Sequence, residues 1–121
     1  MARILIAEDV VDIADILRIG LERAGFTVAV THDGQAALSR GLAGDIDLAI
    51  LDIRMPNLDG MSVLREIRAL PTLQQYPIIL LTANITPGEM ADGFAAGADA
   101  YIIKPFRISE VVKQIHLLLP A

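Results

Sequence analysis

An α/β domain built on a doubly wound, five-stranded parallel sheet with five helices is predicted by the 121-residue sequence. Three features carry that expectation. Short apolar runs alternate with stretches of helical spacing from one end to the other, which is the pattern of strand–helix units rather than of separate sheets and bundles. Three of the runs are almost wholly apolar, as strands covered on both faces must be. The length suits one hydrophobic core, burying about two-thirds of the surface that the unfolded chain exposes.

The elements follow in order. Arg3 to Ala7 (RILIA) reads as the first strand. Ile13, Ile16, Leu17, Gly20, Leu21 and Ala24 recur at helical intervals and give a helix with one buried face, stopped at Gly25 as a C-cap. Thr27 to Val30 (TVAV) is the second strand, and Leu38 with Leu42 marks the second helix. Leu48 to Leu51 (LAIL) is the third strand, followed by a helix carrying Val63, Leu64, Ile67 and Leu70. Ile78 to Leu81 (IILL) is the fourth strand. The fourth helix, around Met90 to Ala96, is the weakest, because Gly88, Gly93 and Gly97 each disfavour helix by up to about 1 kcal/mol when interior. Ala100 to Ile103 (AYII) is the fifth strand, and Ile108, Val111, Val112, Ile115, Leu118 and Leu119 form the last amphipathic helix.

Composition narrows the function. Hydrophobic residues make up 54% of the chain and aromatic ones 4%, so the core is built from Ile, Leu, Val and Ala. Cysteine is absent, which excludes disulfides, thiolate metal sites and Cys nucleophiles. A net charge of −5 argues against direct binding to nucleic acid or to an anionic membrane, both of which take clustered Lys and Arg. No apolar run approaches a membrane span, and Glu8 and Asp9 interrupt the N-terminal run too early for a signal peptide, so a cytoplasmic location is expected. The sequon Asn84-Ile85-Thr86 is read as a chance match.

In doubly wound sheets ligands gather outside the carboxyl ends of the strands. There the chain supplies Glu8 and Asp9 after the first strand, Asp52 after the third, Thr82 after the fourth and Lys104 after the fifth. Each has an ordinary explanation alone: a helix N-terminal charge, a strand-end threonine, a solvated lysine. His32 and His116 are read as surface residues, and Tyr101 alone as packing. Their order at successive strand ends outweighs those explanations. Three carboxylates in one crevice repel one another, and a hard divalent cation such as Mg2+ relieves that conflict with oxygen ligands. One carboxylate is then free to attack phosphorus while the hydroxyl and the ammonium hold phosphoryl oxygens.

With Glu8-Asp9, the segment DIRMPNLDG from Asp52, PIILLTA from Pro77, GADAY from Gly97 and KPF from Lys104 in view, the chain resembles the receiver domain of two-component response regulators, the family that includes the chemotaxis regulator. The resemblance covers nearly all of residues 1–121, which it implies are one receiver domain of flavodoxin-like strand order 2-1-3-4-5. It implies that Asp52 is the phosphoacceptor, that Glu8, Asp9, Asp52 and the Arg54 backbone carbonyl hold Mg2+, and that Thr82 and Lys104 contact the phosphoryl group. Tyr101 matches the switch aromatic that turns inward as Thr82 moves, and the Lys104–Pro105 bond is expected to be cis. The implied partners are a histidine kinase or phosphotransfer protein and a downstream protein at the face of the fourth helix, fifth strand and fifth helix. Turnover of an external substrate is not expected. Lys113 and Gln114 stand where dimerising receivers of the winged-helix transcription-factor subfamily usually carry an Ala-Arg pair, a departure from that subfamily. Two other readings use the same residues: an Mg2+-dependent phosphohydrolase of the haloacid dehalogenase type, and a phosphorylation-independent interaction module. The first places a D-x-D motif on its first strand, whereas here Asp52-Ile53-Arg54 lacks the second aspartate.

Overall fold

A computed structural model describes residues 2–70 and 75–119. Met1 and residues 71–74 and 120–121, part of the expected 1–121 domain, lie outside the described residues. The strands are β1 (Arg3–Ala7), β2 (Thr27–Thr31), β3 (Leu48–Asp52), β4 (Ile78–Thr82) and β5 (Ala100–Ile103). The helices are α1 (Val11–Arg23), α2 (Gly34–Gly41), α3 (Gly60–Arg68), α4 (Pro87–Ala96) and α5 (Ile108–Leu118). All strands pair in parallel, in the order β2-β1-β3-β4-β5.

Strand periodicity divides the core. Successive side chains point to opposite faces, so Leu5, Ala49, Leu51, Ile78 and Leu80 pack with Ala37 of α2 and Val63, Leu64 and Ile67 of α3. Ile4, Ile6, Leu48, Ile50, Ile79 and Leu81 turn the other way, onto Leu17 and Leu21 of α1 and Val111 and Ile115 of α5. Every residue of β3 and β4 is buried, which explains why their sequences carry no outward polar positions. The order reverses between β1 and its neighbours β2 and β3, and this switch point opens the crevice at their carboxyl ends.

Helix ends show chemistry beyond the apolar spacing. Asp33 and Asp59 cap α2 and α3 by accepting from the Ala36 and Ser62 N–H groups, each cap contributing about 1 kcal/mol. In α4, Thr86 and Glu89 form a reciprocal capping box, with Pro87 at the first helical position and Gly97 closing the helix at φ 114°. Gly97 is therefore a stop and not an interior defect. Gly25 follows the C-cap Ala24 at φ 100°.

Some expected core positions are not core. Ile16 is exposed because the buried stripe of α1 runs through Ala14, Leu17 and Leu21. Leu42 and Leu70 lie beyond the last residues of α2 and α3 and are also exposed. In both cases apolar spacing extended the pattern past the residue where packing against the sheet ends.

Gly34 and Gly60 are required by close approach. A Cβ at Gly34 would meet the Leu58 carbonyl oxygen at 1.5 Å, and one at Gly60 the Asp52 carbonyl oxygen at 2.2 Å. The β3–α3 loop is thus wedged against the start of α2, where the Gly34 N–H donates to the Pro56 carbonyl. Helix propensity alone would favour alanine at Gly34 by up to about 1 kcal/mol. Overpacking against backbone should win, and Gly34→Ala is expected to destabilise by about 2 kcal/mol in urea unfolding; a more stable variant would show that the loop yields easily.

Candidate functional site

Four strand ends build the site. Glu8 extends the β1 ladder by one residue, its N–H donating to the Thr31 carbonyl at 3.1 Å. Asp52 ends β3 in register with Leu81, so the backbone that carries it is fixed between β1 and β4. Thr82 ends β4, and the Lys104 N–H donates to its carbonyl at 2.7 Å, continuing the pairing past β5. The sheet thereby delivers two carboxylates, a hydroxyl and an ammonium to one end.

Glu8, Asp9 and Asp52 each present a carboxylate oxygen within 4.8 Å of the others. Glu8 is 0% and Asp52 4% exposed, whereas Asp9 faces solvent. The Lys104 Nζ lies 2.9 Å from Asp52 Oδ2, to which it donates, and 2.7 Å from Glu8 Oε1. Asp52 Oδ1 accepts the Arg54 N–H and Glu8 Oε2 accepts the Val10 N–H, both at 3.1 Å. Glu8 Oε1 is fully buried and has no aligned hydrogen-bond donor, only its ion-pair contact with Lys104.

The electrostatics follow from this crowding. Burial first, and then the adjacent Asp52, push the Glu8 carboxyl up to about 7, against the opposing pull of Lys104 and the Val10 N–H. For Lys104, burial works to lower the pKa, but its close contacts with the Glu8 and Asp52 carboxylates overcome it and raise the ammonium above its ordinary value. One cation thus serves two buried carboxylates.

The other expected participants have contacts of their own. The Thr82 hydroxyl donates to the Asn84 carbonyl and accepts the Asn84 N–H, so it is engaged with its own loop and not with Asp52. Arg54 is exposed and reaches Asp52 through its backbone N–H. Tyr101 lies against α4: its ring meets Phe94 edge-on at 5.1 Å and its hydroxyl donates to the Glu89 carbonyl at 3.3 Å. The Lys104–Pro105 bond is cis. His32 is exposed, yet its Nδ1 lies 3.0 Å from the Glu8 carbonyl oxygen, a contact that its position just after β2 could have suggested. Beside the carboxylates an open cleft of about 770 Å³ is lined by Asp9, Arg54, Met55, Met61, Arg65 and Glu89, among others. Its α3 and α4 residues carry no motif, so sequence reading passed over them.

The family model for the response regulator receiver domain matches residues 4–116. The chain belongs to this receiver family. It is 39% identical over 117 residues to the transcriptional regulatory protein ResD of Bacillus subtilis, an alignment covering 97% of this chain and 48% of that one. The chain spans about half the length of the curated relatives it matches. Among solved structures it is similar to the chemotaxis response regulator CheY4 of Vibrio cholerae, with a TM-score of 0.91, 28% identity and coverage of 98% and 99% of the two chains. It is also similar to the receiver domain of the sensor histidine kinase PA1611 from Pseudomonas aeruginosa, with a TM-score of 0.89, 32% identity and coverage of 99% and 98%. That structure has a magnesium ion coordinated in its active site cleft. Receivers are two-component signalling domains, and among the described residues no helix is long and apolar enough to cross a membrane.

The Glu8 proton links this receiver's stability to pH. The folded state holds that proton more tightly than the unfolded chain, so the contribution is complete below pH 4.5 and is lost as pH rises through about 7. In chelator, the unfolding free energy is expected to fall across that window, and Glu8→Gln should flatten the slope. An unchanged slope in urea titrations of the variant would assign the effect to another group.

Proposed function

We propose that this receiver accepts a phosphoryl group on Asp52 from a histidine kinase or phosphotransfer protein, with Mg2+, and that the event alters a protein-binding face. The observation that carries the proposal is the convergence of Glu8, Asp9 and Asp52 at the sheet's switch point, with the Lys104 ammonium seated on Glu8 and Asp52. In the transfer, one Asp52 oxygen bonds to phosphorus while the bond from phosphorus to the donor's imidazole nitrogen breaks, its electron pair staying on nitrogen. Lys104 is already seated on Asp52 and is positioned to hold a phosphoryl oxygen there. Thr82, two strands from β1 and adjacent to Asp52 in the sheet order, would have to leave Asn84 to do the same.

The donor set suits Mg2+. The available groups are hard oxygens, and Glu8 Oε1 is a buried carboxyl oxygen without an aligned donor, so a divalent cation would relieve rather than add to the local conflict. Glu8, Asp9, Asp52 and the Arg54 carbonyl are the groups assigned to hold it. When bound, the ion would neutralise charge on the transferred oxygens.

This reading extends to the partners. The kinase or phosphotransfer protein meets the Asp52 end of the sheet, and a downstream protein meets the surface of α4, β5 and α5, where Tyr101 is the switch residue. The unit is taken as residues 1–121, working in the cytoplasm, catalysing its own phosphoryl transfer and hydrolysis without turning over an external substrate.

Incubation with a small acyl phosphate and Mg2+, followed by mass measurement, tests the assignment. A single phosphoryl adduct is expected for the wild type, none for Asp52→Asn, and little in chelator. Exposed Arg54 lines the cleft beside Asp9 and follows Asp52 by two residues, so its long cationic side chain should cover the phosphoryl group, and Arg54→Ala should lose the group faster. An undiminished adduct in Asp52→Asn would refute the acceptor assignment, and a longer-lived adduct in Arg54→Ala would refute the shielding.

A further inference from the structure

Arg68, the last residue of α3, ties together parts of the chain at the opposite end of the sheet from the carboxylates. Its Nε–H donates to the Gly97 carbonyl at 3.1 Å, Nη1 donates to Gln75 Oε1 at 2.8 Å, and Nη2 donates to Asp99 Oδ2 at 3.1 Å. Asp99 is itself fixed at the entry to β4, since its Oδ2 accepts the Ile78 N–H and its own N–H donates to the Ile78 carbonyl, both at 2.9 Å. The guanidinium therefore connects the carboxyl end of α4 to the rigid sheet. Its charge also faces the negative end of the α4 dipole. Gly97 is shaped to this contact: at φ 114° it favours glycine, and a Cβ there would lie 2.9 Å from the Arg68 Cγ and Nε.

The rest of α4 is held lightly. Gly93 is its buried residue, seated on the Tyr101 ring. Its amino end is capped by its own Thr86 and Glu89, contacts that travel with the helix, and is tied to β5 by one neutral hydrogen bond, from the Tyr101 hydroxyl to the Glu89 carbonyl at 3.3 Å, against the charged three-way contact of Arg68 at the other end. Glu89 and Asp92 border the cleft beside Asp9 and Arg54, so the lightly held end is the one near the carboxylates.

We infer that Arg68 is a positioning residue that pins the carboxyl end of α4, making the helix a lever whose amino end swings about Gly97. A helix of 10 residues is about 15 Å long, so a tilt of about 10° would carry its amino end about 2.5 Å while the pinned end stays. A small event near Asp52 would be enlarged at the α4 surface, and Arg68 would set where the motion stops. The pin stands on the contacts around Arg68; its use in signalling rests on the proposed phosphorylation of Asp52.

The absence of cysteine allows clean spin labelling. Gln35→Cys on α2 serves as the reference, paired with Gly88→Cys near the free end or Ala95→Cys near the pinned end, all three positions being exposed. Pulsed dipolar spectroscopy of the unliganded protein is expected to give a distance distribution about twofold broader for the 35–88 pair than for the 35–95 pair. Arg68→Ala should broaden the 35–95 distribution to match. Arg68→Lys, which keeps the charge beside Asp99 but loses the three-way fork, should do so with an unchanged melting temperature, separating loss of the pin from loss of the fold. Equal widths in the wild type, or a 35–95 distribution indifferent to both substitutions, would overturn the pin. With Mg2+ and beryllofluoride as the phosphoryl mimic, the 35–88 distance should shift while 35–95 holds. Equal shifts would overturn the lever. No response at either pair, and none in amide exchange of the Asp52 loop, would count against the acceptor reading, with the pin already decided by the unliganded measurements.

Discussion

The shared ammonium of Lys104, between the buried carboxylates of Glu8 and Asp52, is the contact on which the rest of the molecule converges. Two anions this deep in a protein repel each other and lose their hydration, and one cation offsets only part of that cost. The arrangement persists because the strands carrying these groups are held by their own hydrogen-bond ladders and by aliphatic packing on both faces. The strand order places β1 beside β3, so Glu8 and Asp52 are neighbours, while Lys104 comes from beyond β4 and its long apolar stem passes the end of that strand. An order that moved β1 away from β3 would separate the two carboxylates.

The glycines that crowd the β3–α3 loop serve the same end. Gly60 lets backbone approach the Asp52 carbonyl, and Gly34 lets the loop press on α2, so the segment after Asp52 is fixed from two sides. The Arg54 N–H then meets Asp52 Oδ1 at 3.1 Å. Rigidity on this side contrasts with α4, whose buried contribution is the glycine that receives Tyr101. One side of the crevice is built to hold a geometry, and the other is lightly packed, as a moving element must be. Thr82 sits between them with its hydroxyl turned to Asn84.

The sequence by itself determined the fold class, the strand positions and the acidic site. Wholly apolar runs such as LAIL and IILL have only one comfortable environment, a parallel sheet covered on both faces, and polar residues at the tips of such runs must share the open end. Helix limits were less legible. The apolar spacing of Leu38 with Leu42, and of Ile67 with Leu70, runs past the points where α2 and α3 leave the sheet, because hydrophobicity records a preference for burial and not the place where a neighbour stops covering the chain.

Tertiary structure alone decided who meets whom. It placed Lys104 on Glu8 and Asp52 together, turned Thr82 away toward Asn84, laid Tyr101 over Gly93, and brought Arg68 to Gly97 and Asp99. Gly97 shows the difference most plainly. In the sequence it counted against a helix, whereas in the fold it ends one and makes room for an arginine from 29 residues away. Local composition reports what a residue tolerates, but a hydrogen bond between distant segments depends on strand order and helix placement, which only the packed core as a whole selects.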